Sequence, residues 1–417
     1  MLKTPENGYE NIYREKFMVD KKGKEECCGC RACEQICPVQ AIRMKEDQEG
    51  FLYPSILSDV CIKCNRCEQV CPFESDYTGV DANPEVYAAI NIEENVCKRS
   101  SSGGVFTAVS NWILEQQGIV VGVKFDEEFR VVHASAQSTE ERNRFRGSKY
   151  VQSDTEAIYT QIEAHLKQGK LVLFTGTPCQ VEALGKYMQL KNIDIRNLYT
   201  IDNICHGVAS PRLWKEYIIQ LKKVLREGEY LRYISMRSKK NGWRHQEMDV
   251  ITNQRNISQY INQKFSWNRF FRSLFITRPS CFRCKFTSYK RCGDLTLADY
   301  WNYENARLPL DDKNGVSLVL VNSQKGKELF EMVKKDLQVA CSTKRDCWQI
   351  HLQFPNNEPS RRKQFWSDYE KLDITSVLNR YTKGSAMNKL IRAVSPVLRR
   401  AGLYTLVARI HHKISRK

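Results

Sequence analysis

No stretch of this chain approaches the 18 consecutive apolar residues that mark a membrane-spanning helix. The amino terminus, with Lys3, Glu6, Glu10, Arg14, Glu15 and Lys16, has nothing of the apolar heart of a secretory signal. Together these absences predict a protein that is neither transmembrane nor secreted, and they place it in the cytoplasm. Zinc-finger spacing, a ribonucleoprotein aromatic signature and other nucleic-acid motifs are also missing, so the net charge of +17 is not read as a nucleic-acid footprint. That charge suits a membrane surface, an acidic electron carrier or an anionic substrate, and does not choose among them. Long disordered tracts are absent as well. With 41% hydrophobic and 27% charged residues, the 417-residue chain has a globular composition and room for two or three domains.

What the chain has in quantity is cysteine. There are 17, an odd number that a reducing compartment holds more naturally as metal thiolates than as disulfides. Eight of them write one phrase twice: Cys27, Cys30, Cys33 and Cys37 before Pro38, then Cys61, Cys64, Cys67 and Cys71 before Pro72. Both copies read C-x2-C-x2-C-x3-C-P, the run of bacterial two-cluster ferredoxins. Two-residue gaps let one tight loop aim three sulfurs at one 4Fe-4S cube, while the fourth cysteine reaches the neighbouring cube. The spacing therefore assigns Cys27, Cys30, Cys33 and Cys71 to one cluster and Cys61, Cys64, Cys67 and Cys37 to the other. A zinc reading would leave four sulfurs idle. Cys28, between two ligand positions, is read as a spectator.

In chain order the pattern is a polar arm over 1–26, a two-cluster ferredoxin-like domain over 27–78, a linker at 79–84, an α/β domain over 85–337 and a basic helical extension over 338–417. The fold class expected is α+β, with a mixed sheet in the second domain. Strands are predicted at 86–90, 119–125, 130–134, 171–175, 198–204, 231–236, 247–251 and 317–322, and helices at 105–115, around 158–166, at 181–188, from Pro211 onward, and from 323 to about 337. Three loops of this domain carry phosphate-binding chemistry. Ser100-Ser101-Ser102-Gly103-Gly104 and Gly176-Thr177-Pro178 each open a helix, where free N–H groups attract an anion or a plain cap forms. Arg146-Gly147-Ser148-Lys149-Tyr150 adds cations and a ring that suit a pyrophosphate, or are simply solvated.

These motifs together resemble a family. A double ferredoxin run followed by SSGGVFTA (101–108), GSKYVQSD (147–154), GTPCQ (176–180), DNICHG (202–207), SPRLW (210–214), CFRC (281–284) and GDLTLADYW (293–301) is similar to the coenzyme F(420) hydrogenase/dehydrogenase beta-subunit family, which includes a plant chlorophyll-cycle reductase. The resemblance implies an FAD- and iron-sulfur-dependent oxidoreductase, in which clusters pass single electrons and the flavin exchanges a pair with a substrate. Carried onto this chain, it puts flavin contacts at Ser102, Gly103, Gly104, Lys149, Tyr150, Gly176 and Thr177. It also draws together Cys179, Cys205, Cys281 and Cys284 as ligands of a third 4Fe-4S cluster. The rival readings are that Cys179, at a helix amino terminus, is a reactive thiol, or that some of these cysteines are buried small apolar residues. Cys97, Cys292, Cys341 and Cys347 are read as spectators.

His206, beside Cys205, is the candidate for proton delivery at the flavin or its substrate, against a structural histidine. Asp299 is read as holding a loop or orienting a group. From Lys383 onward no acid occurs, and eight Lys and Arg residues from Lys389 to Lys417 alternate with aliphatic ones, as in a membrane-surface or partner-binding helix or one packed on the core. The function expected is electron transfer between a ferredoxin- or flavodoxin-type carrier, or a partner subunit, and a two-electron anionic substrate at FAD. That substrate would be a deazaflavin coenzyme or an intermediate of bacterial surface-polysaccharide synthesis. The alternatives are a non-catalytic electron-transfer subunit docking on a partner enzyme, and a redox-sensing binding module.

Overall fold

The structure, a computed structural model, describes residues 19–74, 83–311 and 313–382, apart from the side chain of Asn305. The first 18 residues of the expected polar arm, most of the 79–84 linker and the basic segment from Lys383 onward lie outside the described residues.

The two cysteine runs fold alike. In each, the residues just before and just after the second cysteine adopt the left-handed conformation: Gly29 and Arg31 in the first run (φ 66° and 60°), Lys63 and Asn65 in the second (φ 54° and 58°). Arg31 and Asn65 then cap the short helices Ala32–Ile36 and Arg66–Gln69. A tight left-handed loop of this kind turns consecutive sulfurs to one side. Between the runs, β1 (Ile42–Glu46) and β2 (Leu52–Ile56) pair antiparallel and bury Ile42 and the neighbouring Phe51.

The larger body is built on an eight-stranded sheet. Its strands are β3 (Glu85–Asn91), β4 (Ile119–Phe125), β5 (Val131–Ala136), β6 (Val172–Gly176), β7 (Leu198–Asn203), β10 (Leu295–Asp299), β11 (Ser317–Val321) and β12 (Leu337–Ser342), in the order β12-β3-β11-β10-β7-β6-β4-β5. Strands β4, β6, β7 and β10 run parallel, and the strands on either flank pair antiparallel. The mixed sheet expected from sequence is therefore present. Its inner strands are apolar on both faces, as sheets covered by helices must be: β11 is buried at all five positions, and Val172, Leu173 and Phe174 have no exposed surface. Each such side chain contributes roughly 1.5–3 kcal/mol of burial.

The antiparallel pair β8 (Leu231–Ser238) and β9 (Glu247–Thr252) stands apart from this sheet and shares a second core with the helix Pro211–Lys223, centred on Trp214, Tyr217, Trp267 and Phe270. Ser210 starts that helix by accepting from the N–H of Leu213. The sequence reading closes the α/β domain at residue 337. Strand β12 begins there and pairs with β3 along six residues, and Phe365, Ile374, Val377, Leu378 and Tyr381 enter the second core, so the body continues through the described part of the expected extension. Among the described residues no helix is long and apolar enough to cross a membrane.

Candidate functional site

Parallel neighbours end on the same edge of a sheet, and open α/β sheets bind ligands there. Here that edge collects the chemistry. After β6, Thr177 caps the helix Pro178–Leu190 through a reciprocal pair with Gln180, and Cys179 sits in its first turn. After β7 come Cys205 and His206. The loop before β10 brings Cys281 and Cys284, on and just after the short helix Pro279–Arg283. That loop is fixed by a buried ion pair: Arg291 reaches Asp202 at 2.8 Å, and Asp202 also accepts from Thr296 Oγ1 at 2.6 Å and from the N–H groups of Cys292 and Gly293. Asp202 lies three residues before Cys205, so one carboxylate ties both cysteine-bearing segments together.

The result is a cavity of about 40 Å³ lined by Cys179, Cys205, Cys281, Cys284, His206 and Cys28. The four dispersed cysteines act electrostatically on one another in all six pairings. Burial first, and then this mutual repulsion, pushes Cys205 and Cys284 up to about 12 and Cys281 well above the ordinary thiol value. Among the described residues no three Cys, His, Asp or Glu side chains close around a single metal ion.

Cys28, which spacing reads as a spectator, faces this cavity. It shares a hydrogen bond with Cys179, which is also the leading cause of the raised Cys179 value, and it senses Cys27 and Cys30 on its other side. In the first run, Cys30 and Cys33 sense Cys71, and Cys33 senses Cys27. Cys71, from the second run, thus stands beside the first.

The dicluster unit is fastened against the larger body at this point. Arg278, with no exposed surface, donates to the Cys27 carbonyl at 2.7 Å, to Gln152 Oε1 at 3.0 Å and to the Leu52 carbonyl at 2.9 Å. Its guanidinium covers the Tyr53 ring at 4.4 Å. Gly29 admits it: a Cβ there would lie 2.7 Å from Arg278 Nη1. Thr155 donates to the Cys30 carbonyl, and Lys186 to that of Cys71. Nothing in the spacing of the chain announces Arg278 or Cys28.

A second cavity, about 680 Å³, opens beside the carboxyl end of β4. Eight basic side chains line it against four carboxylates, with Ser100, Ser101 and Ser148 among them. Arg237 is its buried cation, its side chain 1% exposed, paired with Asp299 at 3.2 Å and lying 5.1 Å over the Trp301 ring. Arg237 Nη1, Asp299 Oδ1 and Arg146 Nε are buried without partners. Unpaired buried polar atoms of this kind are costly unless a ligand meets them.

Of the seven flavin positions only two line either cavity. Lys149 lines the basic one, but its ammonium is ringed by the carbonyls of Arg144, Phe145, Arg146 and Gly147, at 3.0–3.2 Å, and burial pulls it down to about 7. Tyr150 stacks on Phe271 at 4.7 Å. Ser102 donates to the Val316 carbonyl, and Gly103 packs so closely that a Cβ would lie 2.3 Å from the Ala89 carbonyl; Gly104, at φ 89°, caps the helix Val105–Glu115. Gly176 and Thr177 belong to the cysteine side. His206 lies with its ring 4.2 Å from that of His351, also on the cysteine cavity. Burial, and then the charge of Arg237, lower His206 to about 4. Arg237 is thus felt in both cavities.

Residues 169–346 match the family model for the C terminus of the coenzyme F420 hydrogenase/dehydrogenase beta subunit, and residues 26–75 match the 4Fe-4S dicluster domain. Among solved structures, a chain of the F420-reducing [NiFe] hydrogenase complex from Methanosarcina barkeri is similar at 18% identity, with 64% of this chain and 84% of that chain covered and a TM-score of 0.41. No curated protein matches. With the cysteine runs in the dicluster match and the β6, β7 and β10 loops in the beta-subunit match, the chain is an iron-sulfur electron-transfer protein related to the coenzyme F420 hydrogenase/dehydrogenase beta subunit.

Proposed function

We propose that the chain is an oxidoreductase that moves single electrons through its amino-terminal clusters and a third 4Fe-4S cluster at Cys179, Cys205, Cys281 and Cys284, and exchanges them in pairs at FAD. The observation that carries this reading is the basic cavity lined by Arg146 and Arg237, together with a separate cavity lined by four mutually interacting thiols. Bound flavin would supply two-electron chemistry towards a substrate and one-electron chemistry towards the clusters.

The chain's own groups then have distinct tasks. Arg146 and Arg237 would hold an anionic group, their fork geometry suiting phosphate. Asp299 orients Arg237, and the Ser100–Gly104 turn would give N–H and hydroxyl donors. His206, kept neutral by burial, would accept or return a proton at an imidazole nitrogen. The excess of cations favours an anionic substrate, either a phosphorylated deazaflavin or a nucleotide sugar of surface-polysaccharide synthesis.

Anaerobic purification with iron, sulfide and flavin analysis tests the proposal. About twelve irons and one FAD per chain are expected. About eight irons without flavin would leave an electron-transfer subunit and overturn the enzyme reading.

A further inference from the structure

The two runs of the dicluster domain meet opposite surroundings. The first is turned inward, its carbonyls at Cys27, Cys28 and Cys30 taken by Arg278, Gln152 and Thr155 at 2.7, 2.9 and 2.8 Å, and Cys30 is buried. The second is turned outward. Residues 57–60 and 62–66 are all exposed, Cys64 among them.

The same loop shows an apolar face. Leu57, Val60 and Ile62 are 41%, 45% and 60% exposed, three of the eleven large hydrophobic side chains exposed among the described residues, gathered within six positions. Exposed apolar clusters mark interaction surfaces where single exposed side chains do not. Lys63 and Arg66 flank the patch against the single carboxylate of Asp59, on a chain of net charge +17.

We infer that the 57–66 loop is the docking face for a small acidic one-electron carrier, an iron-sulfur protein of ferredoxin size, and that the cluster of Cys61, Cys64 and Cys67 is where electrons cross the surface. Three exposed aliphatic side chains with two flanking cations fit the electron-transfer encounters that bury less than about 1,200 Å². Its cations face an acidic partner, which raises the rate of encounter more than the lifetime of the complex. In the transfer one electron leaves the reduced cluster of the carrier, which is oxidised by one, and enters the exposed cluster, which is reduced by one; no bond or proton moves. The inference deepens the proposed function by naming its electron donor. It rests on the dicluster domain alone.

The test follows cluster bleaching by stopped flow in the full-length, anaerobically purified protein mixed with a reduced acidic two-cluster ferredoxin. Leu57→Glu and Ile62→Glu are each expected to lower the second-order rate constant about tenfold. Reduction by dithionite and iron content should stay at wild-type levels, and Ile219→Glu, at an exposed site on the helix Pro211–Lys223, should change nothing. The wild-type rate should fall as salt is raised. The inference is overturned if Leu57→Glu keeps the wild-type rate, if it slows dithionite reduction equally, if wild-type transfer ignores salt, or if the wild type is a dimer that Leu57→Glu splits. Absence of flavin would sink the enzyme reading and leave these rates untouched, so the two failures are distinguishable.

Discussion

His133, on β5, shows how much a single buried group carries. Its ring stacks on Phe174 with centroids 5.4 Å apart, Nε2 meets the Thr175 carbonyl at 3.3 Å, and Nδ1 has no partner. Burial, only partly offset by the Thr175 carbonyl, lowers it from 6.5 to about 4. The unfolded chain therefore takes up this proton at a higher pH than the folded one. The contribution to stability is complete above about pH 6.5 and is lost as the pH falls towards 4, with roughly 1 kcal/mol gone by pH 5.5. Urea midpoints at pH 7.5 and 5.5 should differ in the wild type and differ less in His133→Gln. Equal pH sensitivity in the two proteins would show that the imidazole is not the group responsible.

At the level of elements, the two cysteine loops act as one unit. Cys71 stands with the first run, so Cys37 should serve the second. Cys37→Ala is expected to destroy the cluster of Cys61, Cys64 and Cys67, removing about four irons per chain while the first run's signals survive in electron paramagnetic resonance. Loss confined to the first run would mean that each run ligates its own cluster. This part of the protein was legible in the sequence because three ligands lie within one turn of backbone and spacing alone states the geometry. Helix starts were legible for the same reason: Ser210 and Thr177 act on backbone three residues away. The cysteine tetrad was reached only through resemblance, since its members come from three segments and the sheet decides that they meet. What Cys28 faces was not legible because Cys179 is supplied by the start of the distant helix Pro178–Leu190. Arg237 was missed because it lies at the irregularly paired end of β8, just past the strand expected at 231–236, and its partner, Asp299, is sixty-odd positions away.

At the scale of the whole molecule, the dicluster unit is held by contacts that span most of the chain. Arg362 forms a bidentate pair with Glu49 and donates to the Thr277 carbonyl at 2.9 Å, while Arg212 donates to the carbonyls of Asp47 and Gln48 and pairs with Glu46. Arg362→Met would leave Glu49 without its cation in a site where both side chains are largely buried, at a cost of about 3 kcal/mol. Faster hydrogen exchange is expected first in the turn between β1 and β2, and unchanged exchange there would remove Arg362 from the account. Strand β12 was not legible in the sequence because it is short and half exposed, and only its pairing with β3 identifies it.

That pairing has a consequence for how the protein is made. Strand β3 emerges early, yet both of its neighbours, β11 and β12, are among the last strands synthesised. Loop closure over such separations is slow. All eight cysteines of the two ferredoxin-type runs, by contrast, lie within 27–71, with the β1–β2 pair between them. On a growing chain the amino-terminal unit has every sulfur it needs for iron before the main sheet can close. The inner thiols wait until Cys284 is made, so the outer clusters can be loaded first.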